Sequence, residues 1–228
     1  AGGCRQEENM QLGLDGKKIL ITGASKGIGL ATAQGFAAEG ANVWMLARSP
    51  KRLENVMKKL QGQFSPEAIK ATQCDCSSSI EMIETKKIIE GEWEGIDVII
   101  ANVGDGRSTS EALPDAKVWA KTWQANFETA LNSARTFIPL LTNGKGVLIF
   151  ISSIAGLEAF GAPTDYSTAK SAVQALAKNL ARKLAPQIRV NVIAPGNVYF
   201  PGGSWDQKYK ANKSRVDRVI KAQVPMQR

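Results

Sequence analysis

Short apolar segments alternate with longer amphipathic segments along most of the chain. The apolar segments are rich in valine, isoleucine and leucine, which is typical of strands covered on both faces. The six predicted strands are Lys18–Thr22, Asn42–Ala47, Ile69–Cys74, Ile96–Ala101, Gly146–Ile151 and Ile188–Ile193. Helical periodicity predicts helices at about 28–39, 51–61, 79–91, 115–142 and 164–185.

This alternation of strand and helix predicts an α/β fold of the Rossmann type, a doubly wound parallel sheet in a single domain. A length of 228 residues fits one such domain. Right-handed crossovers then place ligands at the carboxyl ends of the strands. We expect residues 10–228 to form the dinucleotide-binding and catalytic domain. Residues 1–9 lack periodicity and precede Met10, so we expect a disordered or non-native extension there.

Composition narrows the classes of function. The chain has no histidine, and its three cysteines lack metal-ligand spacing, so we expect no metal site and no histidine-dependent nucleophile. No apolar run approaches the roughly 18 residues of a membrane helix, and we expect no membrane contact. The same features lead us to expect a cytoplasmic protein with reduced thiols.

The net charge of +8 is densest near the end of the chain. Few aromatic residues interleave with these charges, as a single-strand binder would require, so we expect no nucleic-acid partner. We interpret the basic segment as a solvated helix face, with an anion-binding surface as the alternative. Its charged residues are Lys208, Lys210, Lys213, Arg215, Arg218 and Lys221.

A glycine-rich turn, TGASKGIG over residues 22–29, follows the first predicted strand and precedes a helix. Glycines permit the tight turn and let the backbone approach a pyrophosphate, and the helix N-terminus offers unpaired N–H groups. Its position inside a βαβ unit favours a dinucleotide site over an ordinary turn. The candidate cofactor contacts here are Gly23, Ser25, Lys26, Gly27, Ile28 and Gly29.

The end of the second strand indicates which dinucleotide binds. An acidic side chain here would accept from a ribose hydroxyl, whereas a basic one accommodates the additional phosphate of NADP. The place of the acid holds Ala47, and Arg48 follows. A guanidinium binds phosphate through two hydrogen bonds, and Lys26 lies near enough to share it. The pattern favours NADP(H); a solvated strand-end charge is the alternative for Arg48.

The next two strand ends supply further candidate contacts. Asp75, after the third strand, could contact the adenine, or it could equally be a loop acid that caps the following helix. The fourth strand ends in a turn of small residues that would let the cofactor pass close. Its candidates are Asn102, Val103 and Gly104.

Tyr166 and Lys170 lie one helical turn apart, behind helix-start residues. Free tyrosine has a pKa of about 10. A unit charge at ~4 Å and an effective dielectric of ~20 contributes ~4 kcal/mol, about three pKa units. We therefore expect Lys170 to bring the pKa of Tyr166 towards neutrality, where general acid–base catalysis operates. Alone, the spacing fits an exposed helix pair equally well.

Together these motifs resemble the short-chain dehydrogenase/reductase family over about residues 12–228. The resemblance implies that Tyr166 exchanges the proton, while Lys170 lowers the pKa of Tyr166 and holds the nicotinamide ribose. It also implies that Ser153 polarises the substrate oxygen and that Asn126 fixes a water near Lys170. The implied nicotinamide contacts are Pro195, Gly196 and the backbone of Val198.

Two departures from the family pattern carry expectations. Phe200 stands where a threonine commonly contacts the nicotinamide region, so one amide or phosphate contact is expected to be missing. Family members continue beyond the position of Arg228 through another helix and a strand. We therefore expect a C-terminally truncated domain without that helix and strand, with strand six as an exposed edge.

These features favour an NADP(H)-dependent oxidoreductase that transfers a hydride between nicotinamide and a carbonyl or alcohol. The resemblance is nearest to 3-oxoacyl-[acyl-carrier-protein] reductases, which implies a small-molecule or acyl-thioester substrate and a homodimer or homotetramer. One alternative is a catalytically impaired NADP-binding protein whose pocket lacks its last wall. A nucleic-acid-binding or anion-binding module is a third hypothesis.

Overall fold

The computed structural model describes residues 12–141, 145–224 and 226, and the extension expected at residues 1–9 lies outside them. Within the described residues, six strands form one parallel sheet in the order β3-β2-β1-β4-β5-β6. The strands are β1 (Lys18–Thr22), β2 (Asn42–Ala47), β3 (Ile69–Gln73), β4 (Val98–Ala101), β5 (Gly146–Ile151) and β6 (Ile188–Ile193). The single-domain, doubly wound prediction is confirmed.

Two predicted strand boundaries differ from the structure. Strand β4 begins two residues late because Ile96 forms an isolated bridge with Leu141. The next residue, Asp97, uses its carboxylate to accept a hydrogen bond from the backbone N–H of Lys18 at 2.9 Å. Strand β3 ends one residue early, at Gln73.

The sheet separates two apolar cores because successive side chains of a strand point to opposite faces. Leu20 lies in one core with Phe137 and Phe150, while its neighbours Ile19 and Ile21 lie in the other. All five side chains are completely buried. The central strands are therefore apolar on both faces, as the near-continuous sequence pattern predicts.

The helices that cover the sheet differ from prediction mainly in the 115–142 segment. This segment is interrupted by a π-helical turn at Gln124–Glu128 and ends in a 3-10 turn at Ile138–Leu140. The prediction of one continuous helix is therefore wrong. At the π turn, the Asn126 side chain donates to the carbonyl of Thr122, the acceptor that an α-helix would pair with the backbone N–H of residue 126. The helices are α1 (Gly27–Ala38), α2 (Pro50–Gln61), α3 (Ser79–Glu92), α4 (Ala116–Trp123), α5 (Thr129–Phe137) and α6 (Thr164–Leu184).

Two further helices, α7 (Ser204–Ala211) and α8 (Lys213–Gln223), contain the basic residues near the end of the chain. All six of those residues are exposed, which agrees with the interpretation as a solvated helix face. The two helices were not among the predicted ones. Across residues 12–141 and 145–224, none of the helices is long and apolar enough to cross a membrane.

Candidate active site

The glycine turn between β1 and α1 has the backbone geometry that the sequence predicts. Gly23 and Gly27 have φ angles of +67° and +58°, in the left-handed region that favours glycine. A Cβ on Gly29 would lie 2.5 Å from the carbonyl oxygen of Gly23, so the helix could not pack against the turn with a larger residue. Among the described residues, no side chain caps the N-terminus of α1, and its first turn has no acidic residue. An anion could therefore approach its backbone N–H groups.

The turn is attached to β4 by Asn102, one of the candidate cofactor contacts. The Asn102 amide nitrogen donates to the carbonyls of Thr22 at 3.0 Å and Gly23 at 3.2 Å. Its backbone N–H donates to the Thr22 hydroxyl at 3.0 Å. Val103 packs against Gly23 from the same side. Asn102 and Val103, which follow β4, therefore stabilise the shape of the glycine turn from outside. Ser25 and Ile28 are part of the turn itself and of the first turn of α1.

Arg48 and Asp75 meet at the carboxyl ends of β2 and β3. Their nearest charged atoms are 4.0 Å apart, and the Arg48 side chain is 71% exposed, so its guanidinium is accessible to a ligand. The Asp75 carboxylate accepts hydrogen bonds from the Ser77 backbone N–H and hydroxyl, at 2.9 and 2.8 Å. Helix α3 is capped by Ser78 rather than by Asp75, so the capping alternative is wrong. Burial raises the pKa of the Asp105 carboxyl, but hydrogen bonds from Arg107 outweigh this and lower the pKa, and the charge of Lys26 lowers it further.

Tyr166 and Lys170 project from the first turns of α6 towards the end of β5. The ammonium of Lys170 lies 5.9 Å from the centre of the Tyr166 ring. It donates to the carbonyl of Ile151 at 3.1 Å, and Lys170 is only 3% exposed. Burial penalises the charged amine and lowers the pKa of Lys170 to about 8.

The prediction that the pKa of Tyr166 falls towards neutrality is wrong. Burial of the phenol raises the pKa of Tyr166, a hydrogen bond with Ser153 lowers it, and the negative charge of Asp105 raises it further. The physical reason is that desolvation penalises the phenolate more than its neighbours stabilise it. Tyr166 is therefore protonated at neutral pH.

Asn126 is completely buried and joins α4–α5 to the segment after β4. Its side-chain oxygen accepts from the Asp105 backbone N–H at 3.0 Å, and its nitrogen donates to the Asp105 carbonyl at 2.9 Å. A Cβ on Gly104 would lie 3.0 Å from that oxygen and 2.9 Å from the Lys170 ammonium. Asn126 and Lys170 therefore both pack closely against Gly104, where a larger residue would displace them.

Ser153 follows β5 and lies beside the turn after β6. Its hydroxyl accepts from the Ala155 backbone N–H at 3.2 Å. The next residue, Ile154, donates its backbone N–H to the Pro195 carbonyl at 3.1 Å, and its side chain lies next to Gly196. The structure thus brings the turn at Pro195–Gly196 to the end of β5, with Val198 40% exposed beyond it.

The Phe200 ring connects the segment after the turn at Pro195–Gly196 to the glycine turn after β1. A Cβ on Gly27 would lie 2.9 Å from the tip of the Phe200 ring, and one on Gly203 would lie equally near. The ring therefore packs against both glycines. In place of a threonine hydroxyl, the chain presents an aromatic ring to the glycine turn.

Asp165 is a site residue whose role the sequence pattern does not indicate. It is 1% exposed and accepts hydrogen bonds from the Ser108 hydroxyl at 2.5 Å and from the Tyr166 backbone N–H at 2.8 Å. It thereby connects the segment after β4 to the helix of Tyr166. An acidic residue directly before the predicted proton donor was the available signal.

A tight glycine turn together with a tyrosine, a lysine and a serine at the carboxyl ends of one parallel sheet is the arrangement of an oxidoreductase of the Rossmann class. The chain belongs to the short-chain dehydrogenase family, whose sequence profile, described as short chain dehydrogenase, matches residues 17–207.

Curated relatives and solved structures agree with this membership. An uncharacterised oxidoreductase of Mycobacterium tuberculosis is 31% identical over 194 residues, which cover 83% of this chain and 76% of that protein. The short-chain dehydrogenase/reductase SDRA of Arabidopsis thaliana is 31% identical over 196 residues, which cover 84% and 75%.

Among solved structures, L-sorbose reductase of Gluconobacter frateurii, complexed with NADPH and L-sorbose, has a TM-score of 0.86 and 28% identity. The match covers 96% of this chain and 86% of that one. RhlG of Pseudomonas aeruginosa, in an NADP complex, has a TM-score of 0.84 and 26% identity, with coverage of 94% and 84%.

Proposed function

We propose that this protein is an NADPH-dependent carbonyl reductase in which Tyr166 donates the proton. The observation that carries the proposal is the convergence of Ser153, Tyr166 and Lys170 at the end of β5, on the sheet edge that also holds the glycine turn. Because burial raises the pKa of Tyr166, its phenol is protonated at neutral pH and fits the reductive direction.

The residues present fit a dinucleotide. The tight glycine turn and the uncapped N-terminus of α1 supply backbone N–H groups for a pyrophosphate. Gly104 has no side chain that would displace the Lys170 ammonium, which we propose holds the nicotinamide ribose. When bound, the nicotinamide supplies a hydride to the carbonyl carbon of the substrate. Asp75, Val103, Pro195, Gly196 and Val198 are proposed as further contacts of the cofactor.

Arg48 supports NADPH over NADH. Its exposed guanidinium stands at the end of β2, where an acidic residue would repel the additional phosphate. Asp75 lies 4.0 Å away, and a bound phosphate would compete with it for the guanidinium. The NADPH in the sorbose reductase complex and the NADP in the RhlG complex agree with this choice.

The roles of the remaining groups follow from their contacts. Ser153 is hydrogen-bonded to Tyr166, so a substrate oxygen that replaces this bond would lie between the two hydroxyls. The buried Lys170 ammonium stabilises negative charge that develops on Tyr166 during proton transfer. Asn126 packs beside Lys170 at Gly104, and we propose that it orients a water near the Lys170 ammonium for return of the proton.

The substrate is proposed to be a small carbonyl compound with an apolar part. Three large apolar side chains on the segments after β5 and β6 are more than half exposed: Leu157, Phe160 and Tyr199. Such side chains gain free energy when a ligand covers them. A 3-oxoacyl thioester has both the ketone and the apolar chain, whereas a ketose such as L-sorbose has only the ketone.

The impaired alternative finds no support in the described residues. Nucleic-acid binding gains no support either. We also propose a homodimer or homotetramer that uses α4, α5 and α6. A groove of about 730 Å³ on α4, away from the site, is lined by Trp119 and Trp123 among others and fits such an interface.

NADPH oxidation, followed by absorbance with a panel of ketones, ketoses and 3-oxoacyl thioesters, tests this proposal. We expect turnover by the wild type and a loss of about 10²–10⁴-fold in kcat for Tyr166→Phe. Binding of NADPH, measured separately, should change little, because the phenol hydroxyl is lost without altering the turn. Absence of turnover with the whole panel, or equal turnover by Tyr166→Phe, would overturn it.

A further inference from the structure

The buried amide of Gln174 lies directly behind the reacting groups. Tyr166, Lys170 and Gln174 follow at intervals of four on α6 and therefore share one helical face. Gln174 is 7% exposed, and its amide nitrogen donates to the Ser152 hydroxyl at 3.0 Å and to the Ser153 carbonyl at 3.2 Å. Both donor hydrogens of the amide are thus directed at the end of β5.

These hydrogen bonds belong to a set that joins α6 to three consecutive residues: Ile151, the last residue of β5, and Ser152 and Ser153, which follow it. The carbonyl of Ile151 accepts from the Lys170 ammonium at 3.1 Å. The Ser152 hydroxyl donates to the Lys170 backbone carbonyl at 2.9 Å while it accepts from Gln174. The last bond of the set is the one that the Ser153 carbonyl accepts from the Gln174 amide. Hydrogen bonds donated from both α6 and the end of β5 therefore fix the position of the helix relative to the end of the strand.

Close packing at Gly156 covers part of this set. A Cβ on Gly156 would lie 2.9 Å from the Gln174 amide nitrogen and 2.7 Å from the Lys170 carbonyl carbon. Ser152 is 4% exposed, so water has little access to its hydroxyl. Hydrogen bonds in such a low-dielectric site are strong, and loss of one partner leaves the other unsatisfied.

We infer that Gln174 is a positioning residue that sets the distance between Ser153 on the strand end and Tyr166 on the helix. It touches neither of these side chains and acts through the Ser153 carbonyl and through Ser152. The inference rests on the proposed function, because Ser153 and Tyr166 must bind one substrate oxygen together. Small displacements of such groups reduce rates strongly.

The decisive variant is Gln174→Met, which keeps the size of the side chain and removes both donors. We expect kcat to fall by about tenfold to a hundredfold, with KM for NADPH within about twofold of the wild type. Ser152→Ala should give a similar loss, and the double variant should lose less than the product of the two. The matched control is Gln61→Met. Gln61 also donates to two carbonyls, those of Pro66 and Ile69, but lies on α2 away from the site.

A spectroscopic readout separates this inference from the proposed function. The chain has three tyrosines, so labelling their Cζ atoms with ¹³C gives three resonances, of which Tyr166→Phe identifies one. At neutral pH the Tyr166 resonance should shift in Gln174→Met and stay in place in Gln61→Met. If the wild type reduces no carbonyl, the proposed function fails and this shift alone decides the role of Gln174.

The inference is overturned if Gln174→Met loses stability as Gln61→Met does while its kcat and Tyr166 resonance stay unchanged. Should Gln174→Met fail to fold, Gln174→Leu replaces it, because leucine is a smaller apolar side chain that also lacks a donor. The same shift and the same loss in kcat are then expected, and their absence contradicts the inference.

Discussion

Replacement of Lys170 by methionine tests how much the burial of a charged amine at the candidate active site lowers the free energy of unfolding. Burial lowers the pKa of Lys170 from 10.5 to about 8. One pKa unit corresponds to about 1.4 kcal/mol, so the charged amine costs the folded state about 3 kcal/mol at pH 7. Methionine removes this cost but leaves the Ile151 carbonyl without its donor, which costs about 1 to 2 kcal/mol. We expect Lys170→Met to be more stable than the wild type at pH 7, by about 1 to 2 kcal/mol.

The pH dependence separates the two contributions. Below pH 8, Lys170 is charged in both the folded and the unfolded chain, and the full cost is present. Between pH 8 and 10.5 the unfolded chain keeps the proton that the folded chain has lost, so the stability of the wild type rises with pH relative to the variant. From pH 7 to pH 10 this relative gain amounts to about 2.5 kcal/mol.

Urea unfolding, followed by tryptophan fluorescence at pH 7, 8, 9 and 10, measures the difference. The wild type should become the more stable protein by pH 10, while groups common to both chains cancel. Lys178→Met, an exposed position on the same helix, is the control and should change stability by less than about 0.5 kcal/mol at every pH. A difference between wild type and Lys170→Met that does not vary with pH would refute the reasoning.

Two further substitutions test the cofactor site. Arg48→Asp should weaken NADPH by at least about tenfold and NADH far less, because a carboxylate repels the additional phosphate; calorimetric titration with both cofactors checks this, and the exposed Arg52→Asp should change neither. A preserved preference for NADPH would show that the phosphate lies elsewhere. Gly27→Ala should destabilise the chain by about 1–3 kcal/mol and weaken NADPH, because φ is +58° and the new Cβ meets the Phe200 ring at 2.9 Å. Gly35→Ala, inside α1 with open space around it, should leave NADPH binding intact and raise Tm.

The sheet was predictable because its strands are apolar on both faces and are separated by turns rich in glycine and small polar residues. The boundary errors arose where tertiary contacts replaced the local pattern, as at Ile96, which pairs with Leu141. The π turn at Asn126 was not predictable, since it depends on a side chain that bonds within its own helix and to the Asp105 backbone. Helical periodicity alone carries no information on such a register shift.

The placement of Ser153, Tyr166 and Lys170 near the end of one strand could be predicted from the sequence, but their electrostatics only partly. The spacing of Tyr166 and Lys170 indicated that the two share a helical face, yet the pKa of Tyr166 depends on how deeply its phenol is buried, on Ser153 and on Asp105. The bonds of Gln174 and Asp165 also escaped prediction. A buried glutamine or aspartate has no sequence pattern of its own, and its partners lie on other elements.

Transfer of deuterium from NADPH labelled at nicotinamide C4 tests the central claim most directly. Each stereoisomer of the labelled cofactor is incubated with the protein and the best carbonyl substrate of the panel, and the product is analysed by mass spectrometry. We predict that one of the two isomers places a single deuterium on the carbinol carbon, and that Tyr166→Phe forms this product at least about a hundredfold more slowly. Product without deuterium from either isomer, or no alcohol at all, would contradict the account.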